Sequence, residues 1–507
     1  MDWSLWYCAH GNDNGMQALF YPGKDGLIYP SLRATAIRDG LEDVDLFRQA
    51  RDLAETPADK AEVEAIRNGF AKSMSVYCQD IAVMEKFRTR LYNLLVKLTA
   101  RQVRSKVQVK AAAAGGVVVE QKDVKNFSYH KNNVFHPALA VLKDGRYFAS
   151  FQEINNSDVY AAPMYSISSD QGKTWSKPQP IEPLKSVELN DGSGTVEGFA
   201  DPRPFVLPDG KVIVIGCASF YKGNTLSVLA KDKKNQKPVE HKAKSYYAIW
   251  SPESGKWSPR YTLELPGVNT KRYSSACTQI AIRKDGKIIV PLYVDINVKV
   301  EHESPIHRHR FGVMTALYKY KNGKLEFAGK SDILSIPVKR GMCEPSVIEF
   351  ADNRFAMTIR AEDKNMYCSI SDNGINWNKP QPWKWQDGSS IITDSTQQHW
   401  IKLGKKVFLV YTRFDGSNNK ITRYRAPMYI AEALPDKAQL VKAGENVVFP
   451  RATLNGVEAL LGNFHCTQIN ETAALVSDSY LFRFNMGKGK KRKFTTEVKT
   501  AQITLNK

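Results

Sequence analysis

Six copies of one phrase between residues 136 and 486 constrain the fold of this chain more than any other feature. Each copy has a polar or proline-marked start, an apolar run, in most copies a tight turn such as D-G-R or D-G-K, and a second apolar run. The copies start at His136, Asp201, Cys277, Cys343, Ser395 and Leu461. Most starts lie roughly 60 to 75 residues apart, the length of one four-stranded blade with long loops. The sequence therefore predicts a mainly β fold, a six-bladed β-propeller.

The starts of the copies are expected to meet in one ring, because the innermost strand of each propeller blade begins near the central axis. The polar residues at these starts are His136, Asp201, Arg203, Gln279, Glu344, Gln397, Gln398, His399, Asn463 and His465. Such a mixture of donors and acceptors suits the hydroxyl groups of a carbohydrate. The alternative is that these side chains only hydrate the mouth of the channel.

The first hundred residues have a different pattern, with apolar residues at helical spacing and few glycines. Residues 3–11 (WSLWYCAHG), 26–31 (GLIYPS) and 31–43 (SLRATAIRDGLED) resemble the C-terminal end of a glycoside-hydrolase barrel family that includes β-N-acetylgalactosaminidase-like proteins. The resemblance implies that residues 1–104 are a partial, mostly α-helical segment of such a domain. The expected location is secreted or periplasmic if an upstream signal peptide has been lost, and cytoplasmic if Met1 is the natural start.

A stretch of small residues separates this segment from the repeats. Residues 105–128, which include AAAAGGVVV, are predicted to be a linker with a possible closing strand, and residues 129–507 are predicted to form the propeller. Two segments could close the last blade, residues 117–119 or residues 493–504. The sequence does not choose between them.

Composition narrows the class of partner. The formal charge of +20 comes from 72 Lys and Arg against 52 Asp and Glu, but the lysines are scattered over turns and are not interleaved with aromatic residues, so no nucleic-acid partner is predicted. The sequence has no apolar run long enough to predict a membrane span. The seven cysteines are far apart and lack metal-ligand spacing, and residues 302–310 (HESPIHRHR) are interpreted as a polar loop. We predict no metal and no cofactor, and the polar residues at the blade starts favour a carbohydrate as the partner. The sequence leaves the oligomeric state open.

Two turns between apolar runs share a motif. Residues 168–175 read S-S-D-Q-G-K-T-W, and residues 372–377 read D-N-G-I-N-W with Ile370 where the serine would stand. In this motif the Asp accepts backbone N–H groups, the Gly takes a positive φ and the Trp buries its ring, so Asp170 and Asp372 are predicted to be structural. Each copy is followed by K-P-Q-P. With these Asp-box hairpins, the chain from His136 to Phe484 resembles the sialidase superfamily of Asp-box, or BNR-repeat, six-bladed propellers.

The resemblance implies roles for particular residues. Sialidases bind a substrate carboxylate with three arginines, use an Asp as acid/base, and use a Tyr paired with a Glu as nucleophile. Glu344 stands where the family has its Glu, and Arg360 matches the second arginine. Arg425, or alternatively Arg423, matches the third arginine, and Asp158 lies near the acid/base position.

Two positions depart from the family pattern. The first arginine of the family is replaced by the words Phe135-His136-Pro137, and the last blade reads Gly462-Asn463-Phe464-His465 in place of the family's Tyr. Without the first arginine the grip on a carboxylate is weaker. Without the Tyr the family's nucleophile is missing, so the sequence argues against true exo-α-sialidase activity.

The sequence as a whole predicts a glycoside hydrolase of the sialidase superfamily that acts on a terminal sugar, with an acidic sugar as one option. The predicted catalytic residues are Asp158 and Glu344, with His136 or His465 as alternative proton-transfer groups. The predicted substrate-binding residues are Arg360, Arg425, Asp201, Arg203, Gln279, Gln398 and Asn463. Two alternatives stay open: a uronate-directed polysaccharide lyase on the same propeller, and a noncatalytic carbohydrate-binding propeller.

Overall fold

The chain divides into two compact units, residues 1–110 and 111–507. A computed structural model describes residues 20–22, 28–30, 44, 46–54, 56–73, 76–77, 81–114, 116–124, 133–156, 158–227, 241–302, 308–351, 353–484 and 493–505. Residues 3–11 and 31–43, on which most of the barrel-family resemblance rests, lie outside these ranges. Across the described ranges, no helix is both long and apolar enough to span a membrane.

The first unit is a short helical segment. Helix α1 spans Pro57–Phe70 and helix α2 spans Ile81–Ala114, and two small hairpins pair Phe20–Pro22 with Ile28–Pro30 and Ala71–Ser73 with Val76–Tyr77. Leucines at helical spacing form one face of α2 and pack with residues of α1: the buried side chains are Val63, Ile66, Leu91, Leu94, Leu95 and Leu98. Helix α2 continues across residues 105–114, the first part of the predicted linker. This part ends in four alanines, and alanine has the highest helix propensity of all residue types.

The second unit is a six-bladed β-propeller. Blade 1 contains Val134–Val141, Tyr147–Asn156, Met164–Ser168 and Gln179–Pro180, with Val159–Tyr160 beside its second strand. Blade 2 contains Val196–Val206, Val212–Tyr221, Ser245–Trp250 and Tyr261–Thr262, with Val187–Glu188 beside its first strand. Blade 3 contains Ile288–Lys299, His309–Lys321 and Lys324–Lys330, with Tyr273–Ser274 and Ala281–Ile282 both beside Ile288–Lys299.

The remaining three blades complete the ring. Blade 4 contains Met342–Ala351, Arg354–Ala361, Met366–Ser371 and Gln381–Pro382. Blade 5 contains His399–Leu403, Lys406–Thr412, Met428–Leu434 and Gln439–Leu440, with Asn446–Phe449 and Lys384–Trp385 at its outer side. Blade 6 contains His465–Asn470, Ala473–Phe484, Lys493–Leu505 and Val117–Asp123, and a small hairpin pairs Thr453–Leu454 with Val457–Glu458.

Blade 6 joins strands from both ends of this unit. Val117–Asp123 pairs antiparallel with Lys493–Leu505, so that Val117 lies opposite Leu505 and Asp123 opposite Lys499. Both of the segments that the sequence offered for closure are therefore used, side by side. Together they leave no gap in the sheet between the first and last described parts of the propeller.

The starts of five repeat copies share an unusual backbone conformation. His136, Asp201, Cys277, Glu344 and Ser395 all have a positive φ, between 49° and 60°. In blades 1, 2 and 4 this residue lies in a β-bulge, where the pairing shifts register between Phe135 and Ala138, Ala200 and Arg203, and Cys343 and Ser346. A left-handed residue other than glycine costs on the order of 1–3 kcal/mol and persists where the surroundings enforce it, often at functional sites. The bulge turns the side chain of the strained residue out of the normal alternation of the strand.

The two turns at residues 168–175 and 371–377 differ in their details. In the first, Asp170 accepts hydrogen bonds from the backbone N–H and the hydroxyl of Thr174 at 2.8 and 2.6 Å, and these bonds lower its pKa to about 2. In the second, Asn373 takes this role, because its Oδ1 accepts the N–H groups of Ile375 and Asn376 at 2.9 and 2.8 Å. The assignment of Asp372 to that role was wrong. The turn is one residue tighter than the motif spacing implies, so Asp372 points outward and its side chain is 88% exposed.

Asp170→Ala is expected to lower the unfolding temperature, because it leaves backbone donors of the turn without their partner. Asp372→Ala is the matched control and is expected to leave the unfolding temperature unchanged. Asn373→Ala should behave like Asp170→Ala. Thermal unfolding followed by circular dichroism measures all three, and equal effects of Asp372→Ala and Asn373→Ala would contradict this account of the second turn.

Candidate active site

The strained blade starts bring charged residues of three blades into electrostatic contact. His136 in blade 1 interacts with Asp201 and Arg203 of blade 2, with Glu344 of blade 4, and with Asp158, which follows the second strand of blade 1. The starts of blades 1, 2 and 4 therefore lie near one another. Asp158 is exposed and itself has a positive φ of 58°, whereas His136 and Asp201 are buried.

Glu344 and Arg360 form an ion pair at the start of blade 4. Arg360 Nη1 donates to Glu344 Oε2 at 2.5 Å, and Arg360 Nε donates to the hydroxyl of Ser395 at 3.0 Å. Burial alone would raise the pKa of Glu344, but Arg360 and the more distant Arg340 and Arg425 overcome it, so the pKa is lowered. Glu344 is therefore a carboxylate anion at neutral pH, fixed in orientation by its bidentate-capable partner.

Four further arginines lie around this pair, and together with Arg360 they are here called the arginine cluster: Arg340, Arg360, Arg423, Arg425 and Arg483. Arg340 is itself paired with Glu362 at 2.5 Å and donates to Ser395 at 3.0 Å. Burial and the repulsion of Arg360 and Arg423 lower the pKa of Arg425 to about 10. Two carboxylates, Glu344 and Glu362, stand against five guanidinium groups, so the cluster has an excess of positive charge.

Arg425 has donor capacity to spare. Its Nε is buried and has no hydrogen-bond partner among the described residues. Its position is set by the loop after the 3₁₀ turn Thr422–Tyr424, in which Arg423 and Tyr424 both have positive φ angles of 55° and 51°. A buried guanidinium with an unused donor, held by a strained loop, is the arrangement expected where an anion binds.

His136 and Tyr160 form an aromatic pair in the site. Their rings are 4.9 Å apart, and the Tyr160 hydroxyl donates to Asp158 Oδ1 at 3.4 Å. Burial lowers the pKa of His136 to about 4, because the favourable effect of Asp201 is smaller and Arg203 opposes it. Burial, with Asp158 next, holds the pKa of Tyr160 well above its usual value. Both rings are therefore neutral at neutral pH, and the phenol is a hydrogen-bond donor and not a nucleophilic phenolate.

Asp201 and Arg203 form a fully buried ion pair next to His136. Arg203 Nη2 lies 2.8 Å from Asp201 Oδ1, close in distance but poorly angled for a hydrogen bond, and Arg203 Nη1 donates to the carbonyl of Phe464 at 2.7 Å. Asp201 also accepts the N–H of Cys277, so it ties the start of blade 2 to that of blade 3. The pair therefore joins blades 2, 3 and 6.

Two other predicted histidines and two predicted glutamines lie at the starts of blades 3, 5 and 6. His465 and His399 have rings 6.2 Å apart, both are buried, and burial followed by Arg203 lowers the pKa of each well below its usual value. Gln279 exchanges two hydrogen bonds with the backbone of Trp400, at 3.0 and 2.8 Å, and Gln398 accepts from Thr358 at 3.1 Å. The amides of Gln279 and Gln398 are thus committed to links between blades, and Asn463 is half-buried at the start of blade 6.

Sequence reasoning missed three residues of the site. Arg340 and Ser395 complete the hydrogen-bonded surroundings of Arg360, and Tyr160 packs on His136. Signals for two of them are visible in the sequence: Ser395 is the first residue of the fifth copy, and Tyr160 lies two residues after Asp158. Arg340 precedes the fourth copy, and nothing in the repeat marks it.

The donor set does not suggest a metal. In the described ranges there is no group of three or more His, Cys, Asp and Glu side chains placed to hold a metal ion. Residues 303–307, within the segment interpreted as a polar loop, are not described. The side chains that the site offers for chemistry are arginines, carboxylates, a histidine and a tyrosine.

Comparisons with known proteins agree with the fold. The sequence matches no protein-family model, and no curated protein is similar to it. A protein of unknown function from Dyadobacter fermentans has a similar structure, with a TM-score of 0.51 and 16% identity over 76% of this chain and 99% of its own. Trypanosoma rangeli sialidase with the inhibitor DANA gives a TM-score of 0.47 and 11% identity over 76% of this chain and 59% of its own.

A Hadza microbial sialidase gives a TM-score of 0.45 and 14% identity over 72% of this chain and 65% of its own. This chain thus spans less than two thirds of the length of both sialidases. With TM-scores below 0.5, these two similarities are too distant to inform the chemistry of the site. The likeness to the Dyadobacter protein concerns the fold alone.

Proposed function

We propose that this propeller is a glycoside hydrolase that binds a terminal acidic sugar through Arg360 and Arg425 and cleaves its glycosidic bond with Asp158 and Glu344. The observation that carries the proposal is the unused, buried donor of Arg425 beside the Glu344–Arg360 pair. Guanidinium groups bind planar carboxylates well because their donors match both oxygens. The excess of positive charge in the cluster favours an anionic sugar over a neutral one.

The two carboxylates have environments that suit different roles. Glu344 is held as an anion by Arg360, so it can stabilise the positive charge that develops on the sugar ring or act as base or nucleophile. Asp158 is exposed and bonded to the neutral phenol of Tyr160, so it can reach a leaving-group oxygen and exchange a proton with solvent. In this mechanism Tyr160 orients Asp158, and Ser395 orients Arg360.

The lyase alternative is favoured by one observation, the neutral state of His136. A neutral imidazole can take the proton next to a uronate carboxylate whose charge the arginines offset, and the Tyr160 phenol in contact with it can donate to the leaving oxygen. His465 fits this role less well, because it is 1% exposed and lies beside Arg203.

The test offers the protein aryl glycosides of N-acetylneuraminate, glucuronate and glucose together with a polyuronate. We expect release of the aryl group from an acidic glycoside and none from the glucoside. Unsaturated uronate ends, detected by their ultraviolet absorbance, would instead identify a lyase. Binding of the acidic glycans without any turnover would replace the enzyme with a noncatalytic binding propeller, and turnover of the glucoside alone would contradict the role given to the arginines.

A further inference from the structure

Asp478 is a buried carboxyl group at a position where other blades place an apolar residue. Ser477 pairs with His465 in blade 6 as Ser150 pairs with Ala138 in blade 1, Thr358 with Ser346 in blade 4 and Val410 with His399 in blade 5. The residues that follow are Phe151, Ile359 and Tyr411, each 0% exposed, against Asp478 at 1%. Blade 6 therefore departs from the pattern that blades 1, 4 and 5 share at this position.

The side chain of Asp478 faces an apolar core. Ser477 and Ser479 bond across to carbonyls of blade 1, those of Pro137 and Val134, at 2.7 and 3.0 Å. Alternate residues of a strand face opposite ways, so Asp478 faces blade 5, as its neighbours Val476 and Tyr480 do in the core between blades 5 and 6. Burying a carboxyl group in an apolar core costs free energy of folding unless the group is hydrogen-bonded or paired.

The hydrogen bonds of Asp478 lead directly to Arg425. Its Oδ2 accepts the N–H of Gly462 at 2.8 Å, and its Oδ1 accepts the N–H of Ser479 at 2.7 Å. Leu461, next to Gly462, donates its N–H to the carbonyl of Arg425 at 2.7 Å. Gly462 has a φ of 100°, and a Cβ placed on it would lie 3.9 Å from Cγ of Arg425. The turn that Asp478 holds is therefore the surface against which Arg425 rests.

The charged and titratable groups around Asp478 come from four parts of the propeller. Arg425 approaches from the blade 5 loop and Arg203 from blade 2. Cys466 on the first strand of blade 6 and Tyr480 on the strand of Asp478 itself also interact with the carboxyl group. Burial raises the pKa of Asp478 to about 7, against the lowering effects of the Gly462 and Ser479 N–H groups and of the two arginines.

We propose that Asp478 is a positioning residue of the arginine cluster: it holds the Gly462 turn against Arg425, and the gain or loss of its proton changes how strongly Arg425 attracts an anionic group. The proposal rests on the proposed function only in taking an anion as the ligand of Arg425. The ionised carboxyl group offsets part of the Arg425 charge from behind. The protonated group leaves that charge available to the ligand, so binding of an anion is coupled to uptake of a proton.

The first test needs no substrate. The free energy of unfolding is measured from pH 5 to 9 for the wild type, Asp478→Asn, Arg425→Gln and the double variant. A carboxyl group whose pKa is raised by folding adds stability at low pH, and this stability is lost as the pH rises through its folded pKa. The stability difference between wild type and Asp478→Asn should therefore decrease as the pH rises from 5 and level off at about pH 7.

The same difference taken in the Arg425→Gln background isolates the coupling. Without the Arg425 charge one influence that lowers the pKa of Asp478 is gone, so the stability difference should level off at a higher pH. An unchanged levelling-off pH, or no pH-dependent difference between wild type and Asp478→Asn, would overturn the inference.

The second test measures binding of sulfate and glucuronate by calorimetry at pH 6 and 8 and constant ionic strength. We expect wild-type affinity to be on the order of fivefold weaker at pH 8, at the lower end of typical coupling between sites. Asp478→Asn should bind equally at both pH values, and the exposed control Asp436→Asn should keep the wild-type difference. Retention of that difference by Asp478→Asn would count against the inference. If no protein bound either anion, the proposed function would lose its support, and the unfolding measurements would still decide the role of Asp478.

Discussion

Glu344→Gln is expected to lower kcat/KM for an acidic aryl glycoside by roughly a thousandfold, the size of effect typical of a charged catalytic group. The substitution keeps the shape of the side chain and one acceptor oxygen, but it removes the negative charge that faces the sugar ring in the transition state. It also leaves Arg360 with a neutral partner. Initial rates over a range of substrate concentrations measure the change.

The control for this prediction is Glu349→Gln, the same chemical change at the other end of the same strand, where the side chain accepts the N–H of Asn353 at 3.1 Å. It should leave kcat/KM within about twofold, since substitutions away from the site have small effects. Binding of glucuronate by Glu344→Gln should persist, because Arg425 still offers its donor. Full turnover by Glu344→Gln would remove Glu344 from the mechanism and favour the lyase or another acid–base pair.

Arg203→Met is expected to destabilise the propeller by about 3–5 kcal/mol, the range found when one member of a buried ion pair is removed. Arg203 is 0% exposed, and its loss leaves Asp201 as a buried charge and the carbonyl of Phe464 without its donor. The exposed pair Arg354–Asp436 provides the control, and Arg354→Met should cost at most about 1 kcal/mol. Chemical denaturation at pH 7 measures both changes.

The pH dependence of Arg203→Met has a defined sign. In the wild type, burial raises the pKa of Asp201, but Arg203 and His136 outweigh it and the pKa is lowered, so this stability is present at neutral pH and is lost on strong acidification. In the variant, burial is no longer opposed by Arg203, the pKa of Asp201 rises, and acidification should restore part of the lost stability. Asp201→Asn combined with Arg203→Met should also recover part of it. A loss that is the same at pH 5 and pH 8 would show that the charge of Asp201 is not its cause.

The blade starts could be predicted because a propeller repeats its hydrophobic pattern and its turns. The left-handed bulges could not be read directly, but they have a sequence trace. His136, Asp201 and Glu344 are each followed by proline, which cannot donate to the strand ladder and is tolerated where a bulge interrupts it. The aim of these side chains depends on the register shift, which sequence periodicity does not encode.

The limits of the sequence are equally specific. The motif spacing pointed to Asp372, but a turn tighter by one residue moved the role to Asn373. Gln279 and Gln398 are correctly placed at blade starts, yet their amides bond to groups of other blades or neighbouring strands, which depends on how blades pack. Asp478, in contrast, is visible in the sequence as an acidic residue inside the second apolar run of its copy, and only the comparison with other copies makes it stand out.

The closure of blade 6 has a consequence for how the propeller folds. Lys493–Leu505 enters the sheet between Ala473–Phe484, made just before it, and Val117–Asp123, made before the first blade. During synthesis on the ribosome, Val117–Asp123 must wait as an unpaired edge until the whole ring has been translated. Contacts between such distant parts of a chain slow folding and leave partly folded species open to aggregation. Val117–Asp123, which closes the finished ring, is therefore also the strand that stays unpaired longest during synthesis.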